Sequence, residues 1–525
     1  MNQVEVLRKQ IQYYSYIFSA VVLLIFGQII GNNGLAYLAI GLETVGLFAV
    51  LLGENVADVF GRMIRFRRKR ELFQEVISLK KCVFLIQMLT GFICFLTVFL
   101  LADVIAEHIF GIPNAALILR VLSPVLLLRM LVSLLTGYIQ SFSAHIPIAV
   151  TCVLRQVLFL VLGRIFCGNL YDYGVKVAAL LKNDDFKGMY GAVGLALGIV
   201  ISEAVILIAL VIFYFISDRN YDRKKCNNGL QKKEGAWENA MNFYQVNGRG
   251  MGFAFCKRLF PIIGLLLLVQ IEDMGLYYGK YLAICAIPML LIGARYYLLY
   301  GRLVNVIRNK NNRQIRENIQ TGIQYAWSVS IMAAVLLAVL APQLVNAYFT
   351  DDVTTLIPML QHGCVLIIAV AMLSYLCLVH IAHNKSISCL LTISVSGVVF
   401  VLLGIFMSGR LENKTLAVVY AGEVALIVGV IVLAFITINQ YRLQLEYIPI
   451  FVLPLICVGV SGVVVLLLGK LLTPHIGNGV FFWLGGLLGT VLYIVFLGIC
   501  RVFSEKEIDQ LYGKYGKIIL STIFK

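Results

Sequence analysis

The sequence predicts an all-α polytopic membrane protein of about fourteen transmembrane helices, with two six-helix lobes around a central cavity and two further helices at the C-terminal end. Three observations predict it. First, 60% of the 525 residues are hydrophobic and 13% are charged, with a mean hydropathy of +0.90; soluble domains carry about 25% charged residues. Second, fourteen apolar stretches can be drawn, roughly 11–31, 35–60, 82–102, 115–140, 147–168, 190–216, 258–276, 281–300, 321–345, 356–380, 388–407, 416–438, 448–470 and 480–500. None alternates with period two, so helices rather than barrel strands are expected. Third, the net charge of +16 is concentrated in segments that share one side when the N-terminus is placed inside. That is the positive-inside bias, which puts both termini in the cytoplasm and removes the case for nucleic acid as a partner.

The first stretch carries no charge and has no A-x-A-like cleavage site, so it reads as a retained helix. The second holds Glu43, Glu54 and Asp58 within about 60° on a helical wheel, and Arg62 extends the stripe. Buried carboxylates in one lobe either pair with basic groups or bind a coupling Na⁺ or H⁺. The loop GRMIRFRRKRELFQEVISLKK, ending at Lys81, reads as a solvated cytoplasmic face touching the headgroups of anionic membrane lipids.

The organising stretch runs from Ala115 to Phe166. Its two apolar runs are joined by the short turn from Ser141 to His145 and contain Arg120, Arg129, Arg155 and Arg164. Arginine at membrane depth costs about 2.5–3.5 kcal/mol on the mildest scale, so these side chains should face a polar cavity or a partner. Arg129 and Arg155 fall near mid-depth and Arg120 and Arg164 nearer the outer face, giving two tiers of positive charge for an anionic substrate. A nine-residue spacing turns a helix by about half a circle, so the two arginines of one helix cannot point the same way. An outer loop, Gly168 to Gly188, follows. The run YGAVGLALGIVISE then opens a helix whose glycines suit close packing and whose Glu203 is expected to partner one of the arginines.

The polar segment from Ser217 to Lys257 marks the boundary between lobes, giving domains 1–236, 237–446 and 447–525. Its NGRGMG reads as a hinge or turn. With no G-x-x-x-x-G-K-[ST] motif in the chain, a transporter without ATPase chemistry is expected rather than an enzyme. A shift of about 240 residues lays the second lobe over the first, with LAPQLVNAYF on LADVIAEHIF. Met359 and Ile368 stand where the first lobe has arginines. The second lobe offers Arg295 as a further substrate contact, Glu272 and Asp273 as coupling-ion candidates, and Glu423. His362, His380 and His383 read as hydrogen-bonded core. Twelve scattered cysteines without C-x-x-C spacing support neither a metal site nor a disulfide framework, and no cofactor is expected beyond a coupling ion. The tail from Ser504 to Lys525 reads as an interfacial amphipathic segment.

The run Leu119-Arg120-Val121-Leu122-Ser123-Pro124, then Gly137-Tyr138-Ile139-Gln140 and Pro147, resembles polysaccharide exporters of the stage V sporulation protein B type. The segment from Tyr190 to Glu203, Pro261 and the Ser504-Glu505-Lys506-Glu507 start are similar as well. These exporters belong to the multidrug, oligosaccharidyl-lipid and polysaccharide flippase superfamily, together with lipid II flippases and O-antigen unit flippases. The resemblance implies a multi-pass protein of the bacterial cytoplasmic membrane. Its expected activity is moving an undecaprenyl pyrophosphate-linked saccharide to the outer leaflet by alternating access, beside glycosyltransferase or polymerase partners. Two other functions fit the residues: a cation-coupled multidrug efflux antiporter, with Glu43, Glu54 and Glu203 lining the cavity, and a non-transporting scaffold for polysaccharide assembly.

Overall fold

A computed structural model describes residues 3–52, 56–216, 235–349 and 352–512. Among them there is no strand, and thirteen helices are long and apolar enough to cross a membrane. The all-α polytopic fold expected from composition is therefore the one observed. The count of thirteen joins the first two expected spans into α1 (Gln3–Leu51), which is interrupted at Gly31 with φ 69° and ψ −178°. That positive φ is open to glycine at little cost. A Cβ at Gly27 would lie 2.8 Å from Leu35 Cδ1, whereas eight residues of straight helix span about 12 Å. The helix thus folds back on itself, and α1 is two spans.

The chain gathers into two compact units, 2–279 and 280–525. In the first, α2 (Val56–Lys69) is amphipathic, burying Val56, Val59, Phe60 and Ile64 and carrying Arg67, Arg68 and Lys69 in its last turn. The second apolar stretch was expected to reach residue 60. The structure corrects this, because so charged a segment cannot cross hydrocarbon and forms a separate helix; Asp58 and Arg62 leave the helix of Glu43, and Glu54 lies outside the described residues. The buried face of α2 packs with Val76, Leu79 and Val83 of α3 (Phe73–Leu100) and with Phe243. The outer face of α3 shows Phe84, Leu85, Leu89 and Phe92, as a lipid-facing helix should.

The run from Ala115 to Ser141 is divided into α4 (Ala115–Leu122) and α5 (Pro124–Ser141). Proline has no N–H, so Pro124 cannot bond the carbonyl of Arg120. The Ser123 hydroxyl donates to that carbonyl instead, at 2.8 Å. Next come α6 (Ile146–Leu181) and α7 (Asp185–Ile216), both longer than expected. The anticipated outer loop from Gly168 to Gly188 is almost wholly helical, the hairpin turning through Lys182 in the left-handed region. A glycine seam explains the close pairing. A Cβ at Gly194 would lie 2.5 Å from the Phe166 carbonyl oxygen, and one at Gly198 would lie 2.9 Å from Gly163 Cα. The expected hinge at Asn247 to Gly252 is likewise corrected: those residues lie inside α8 (Ala236–Leu267), which includes residues 236–257 of the polar stretch.

The next helix break falls at residues 268–270, so Glu272 and Asp273 begin α9 (Ile271–Arg308) rather than ending the helix before it. The division between units falls inside α9. The second unit continues with α10 (Asn312–Tyr348), α11 (Val353–His362), α12 (Val365–Ala382), α13 (Ser386–Ser408) and α14 (Lys414–Tyr441). Then come α15 (Ile448–Ile476) and α16 (Asn478–Ile499). Ile331 of α10, Cys457 and Val458 of α15 and Tyr493 of α16 form one of its cores. The break between α11 and α12 falls at Gly363 and Cys364, about 240 residues after the Ser123 break between α4 and α5. The described part of the tail starts with a capping box: the Ser504 N–H donates to Glu507 Oε2 at 2.8 Å, and the Glu507 N–H returns to Ser504 Oγ at 3.4 Å. It opens α17 (Glu505–Tyr512); residues 513–525 lie outside the described residues.

Candidate functional site

Glu203 is the fixed point of the site. It stands on α7, little more than a turn beyond Gly198 of the seam that holds α7 against α6, and it is 2% exposed. Arg129 of α5 and Arg155 of α6 both direct Nε at the same carboxylate oxygen, Glu203 Oε1, at 3.3 and 3.2 Å. Glu203 was expected to partner one arginine, and it contacts two. The arginine side chains are 40% and 28% exposed, so the carboxylate is sealed while both guanidinium groups reach open space.

That space is a cavity of about 240 Å³ within the first unit. Ser19 from the first arm of α1, Leu42 from the second arm, Gln156 of α6 and Tyr278 of α9 line it together with Arg129, Arg155 and Glu203. The Ser19 hydroxyl donates to Gln156 Oε1 at 2.5 Å, tying α1 to α6 at the cavity wall. Two cations and one carboxylate leave one positive charge uncompensated. Because both arginines meet Glu203 through Nε, their terminal NH₂ groups have no hydrogen-bond partner among the described residues. A guanidinium fork left open in this way suits bidentate bonds to a phosphate or carboxylate.

A second polar group adjoins Tyr278. Its hydroxyl donates to Glu43 Oε1 at 2.6 Å, and Arg258 Nη1 of α8 lies 3.7 Å from Glu43 Oε2. Sequence reasoning missed Arg258 and Tyr278. Arg258 stands at the junction of the polar segment and an apolar run and reads as a cytoplasmic charge, while Tyr278 falls in the expected gap between two spans.

The remaining candidates lie elsewhere. Arg120 pairs with Asp103, both substantially exposed, and Arg164 is exposed on α6 beside the exposed Val161 and Ile165. The anticipated outer tier is therefore not part of the cavity lining. Arg295 is half-buried in the second unit. Glu272 is exposed and Asp273 half-buried at the start of α9.

Asp58 meets Lys9 Nζ at 2.5 Å and Arg8 Nη2 at 3.3 Å, and accepts from Gln140 Nε2 at 2.9 Å. Burial on its own would raise the Asp58 carboxyl, but Lys9 and Arg8 outweigh it and hold the group well below the usual carboxylate range. A depressed folded-state value contributes stability that is present above the unfolded value, about 3.9, and is lost only as pH falls through the folded one. Asp58→Asn should therefore lower the melting temperature by a similar amount throughout about pH 5 to 8. The expected loss is about 1 kcal/mol, since the side chain is partly exposed. Thermal unfolding of both proteins at several pH values checks this, and a difference that vanished within that window would contradict it.

No protein-family model matches the chain, and no curated protein sequence matches it. Solved structures do. An inward-facing multidrug resistance MATE family transporter of the MOP superfamily superposes with a TM-score of 0.66 at 13% identity, over 82% of this chain and 95% of that one. The lipid II flippase MurJ in an inward closed conformation gives a TM-score of 0.58 at 12% identity, over 93% of this chain and 98% of that one. A MOP superfamily transporter from Pyrococcus furiosus, described as having a binding pocket of reverse polarity that suggests a different function, gives 0.58 at 14% identity, over 84% and 95%. The chain has the fold these transporters share.

Proposed function

Starting from a fold held in common with MATE transporters and the flippase MurJ, we propose that the chain is a flippase. Its cargo would be an undecaprenyl pyrophosphate-linked oligosaccharide or cell-wall precursor, moved from the inner to the outer leaflet by alternating access. The observation that carries this reading is the pair Arg129 and Arg155 on one carboxylate, lining a cavity with one positive charge to spare. A pyrophosphate has the negative charge and the paired oxygens on each phosphate that two open, planar guanidinium forks match. We take α2, with its basic last turn, as cytoplasmic, in keeping with the positive-inside bias.

Reconstitution in liposomes tests it, using a fluorescent polyprenyl pyrophosphate saccharide and a leaflet-specific quencher. A hydrogen bond to a charged group contributes about 1.5–3 kcal/mol, so Arg129→Ala and Arg155→Ala should each slow flipping by about tenfold or more. Arg164→Ala should leave it unchanged. Full activity in the Arg129→Ala/Arg155→Ala protein would remove the assigned site.

The second reading is a cation-coupled multidrug antiporter, favoured by Glu203 lining the cavity and by the likeness to MATE structures. An organic cation would there meet two arginines before one shared carboxylate. Drug susceptibility of a strain lacking the chain separates the two readings, because only an antiporter loss sensitises it.

A further inference from the structure

Four carboxylates are buried among the described residues: Glu43, Glu203, Asp352 and Glu423. Three face a basic side chain, namely Arg258 for Glu43, Arg129 and Arg155 for Glu203, and Lys280 for Asp352. Glu423, on α14 in the second unit, faces none. It is 6% exposed, and its Oε1 accepts from the Leu366 N–H at 3.1 Å, with the Val365 N–H directed at the same carboxylate. These amides open α12, before the helical ladder is established, and the Leu366 N–H is shared between Glu423 and the Gly363 carbonyl, at 3.3 Å from the latter. The carboxylate therefore sits in the gap of a broken span, with α11 ending at His362 and α12 starting at Val365. On the other side of the gap the Tyr281 hydroxyl donates to the Gly363 carbonyl at 2.8 Å, holding the joint in place.

We propose that Glu423 is a proton-binding site whose occupancy sets the α11–α12 joint, and that it couples the transport cycle to protons; the coupling half of this rests on the flippase reading above. An ionised carboxylate within a spanning helix is costly unless matched. Glu423 is matched by amide dipoles alone, so one proton from water converts COO⁻ to COOH and removes the buried charge without leaving a cation stranded. The neutral carboxyl keeps one carbonyl acceptor and gains an O–H donor, and deprotonation restores the second acceptor oxygen and the charge that face the Val365 and Leu366 amides. The two protonation states thus favour different partners for the start of α12, and the span has its break at that point. A sodium ion fits poorly, because it would face N–H donors with their positive ends inward and would find one carboxylate where it needs several oxygens. No group of three or more His, Cys, Asp or Glu side chains suited to a metal ion occurs among the described residues.

The groups around Glu423 leave it the natural proton acceptor. Cys285 of α9 and Cys364 at the start of α12 are its titratable neighbours. The His362 ring of α11 lies 6.0 Å from that of Tyr420, tilted by 56°, about one turn before Glu423 on α14. From α13 the neighbour is Phe400, against Gly422.

The experiment uses the full chain in lipid nanodiscs and in liposomes. Infrared difference spectra across about pH 5 to 8 should show a protonated carboxyl C=O band that titrates in the wild type and is missing in Glu423→Gln. In liposomes an imposed pH gradient should accelerate flipping by the wild type about tenfold. Glu423→Gln should lose that acceleration while retaining exchange without a gradient. The infrared arm reads proton binding even if the chain moves a different cargo, so its failure and the failure of the flippase reading are distinguishable. If Glu423→Gln does not fold, Glu423→Asp, which draws the carboxyl back from the amides, should shift the titration of the same band. A wild-type spectrum with no titrating carboxyl, a band unchanged in both variants, or acceleration by a sodium gradient in place of a proton gradient would overturn the proposal.

Discussion

Glu203→Gln is expected to be among the most damaging single substitutions in the first unit. It keeps the shape of the side chain and removes the one negative charge that two guanidinium groups share, at Nε distances of 3.3 and 3.2 Å. Arg129 and Arg155 would then stand together inside spanning helices, each uncompensated and each repelling the other. Both guanidinium groups face the cavity, so the cost is that of their lost charge-assisted contacts, about 1.5–3 kcal/mol, with mutual repulsion added to it. The purified variant should melt well below the wild type or fail to accumulate. A double-mutant cycle gives the argument its sharper form. Adding Arg155→Gln to Glu203→Gln lowers the number of stranded charges, so it should recover part of the lost stability, with a coupling of about 1–3 kcal/mol. It should not recover flipping, since the fork proposed to hold the pyrophosphate is gone. A Glu203→Gln protein with unchanged melting would mean that the three charges are solvated independently.

What could be read ahead of the structure follows from the range of the forces involved. Burial of apolar surface is a local matter, so the spans, the all-α class and the closeness of the glycine-rich helix were legible from composition and spacing. The arginines at membrane depth were legible for the same reason: a charge inside an apolar run is conspicuous. Which arginines meet was not, because that depends on how α5, α6 and α7 face one another, and the break at Ser123 lies between Arg120, on Asp103, and Arg129, on Glu203. Helix ends proved least legible. Asp58 lies beyond the end of α1, and the residues about Gly168 to Gly188 and Asn247 to Gly252 continue helices, because polar composition reports solvent exposure rather than backbone conformation. Tyr278 and Arg258 gave no sign, one lying between expected spans and the other at the edge of a charged segment.

The glycine seam between α6 and α7 supplies the second large effect, and a paired substitution isolates it. Alanine is favoured over glycine in a helix by about 1 kcal/mol, so a Gly→Ala change with room for the methyl group should stabilise. Gly397 of α13 has nothing within 4 Å of a built Cβ, and Gly397→Ala should raise the melting temperature or leave it unchanged. At Gly194 the same methyl group would lie 2.5 Å from the Phe166 carbonyl oxygen and 2.7 Å from Cys167 Cα. Those are backbone atoms of a continuous helix and cannot turn aside as a side chain would, so α7 must move off α6. Overpacking of this kind costs about 1–3 kcal/mol beyond the lost helical gain, and Gly194→Ala should melt lower, opposite in sign to Gly397→Ala. The displacement also has a functional reading, because Gly198 and Glu203 follow on the same helix: moving α7 lengthens the contacts from Glu203 to Arg129 and Arg155. Flipping by Gly194→Ala should therefore fall even at temperatures where the protein remains folded. Equal and positive shifts in melting temperature for the two variants would show that the seam has room to spare, and that the placement of Glu203 owes nothing to it.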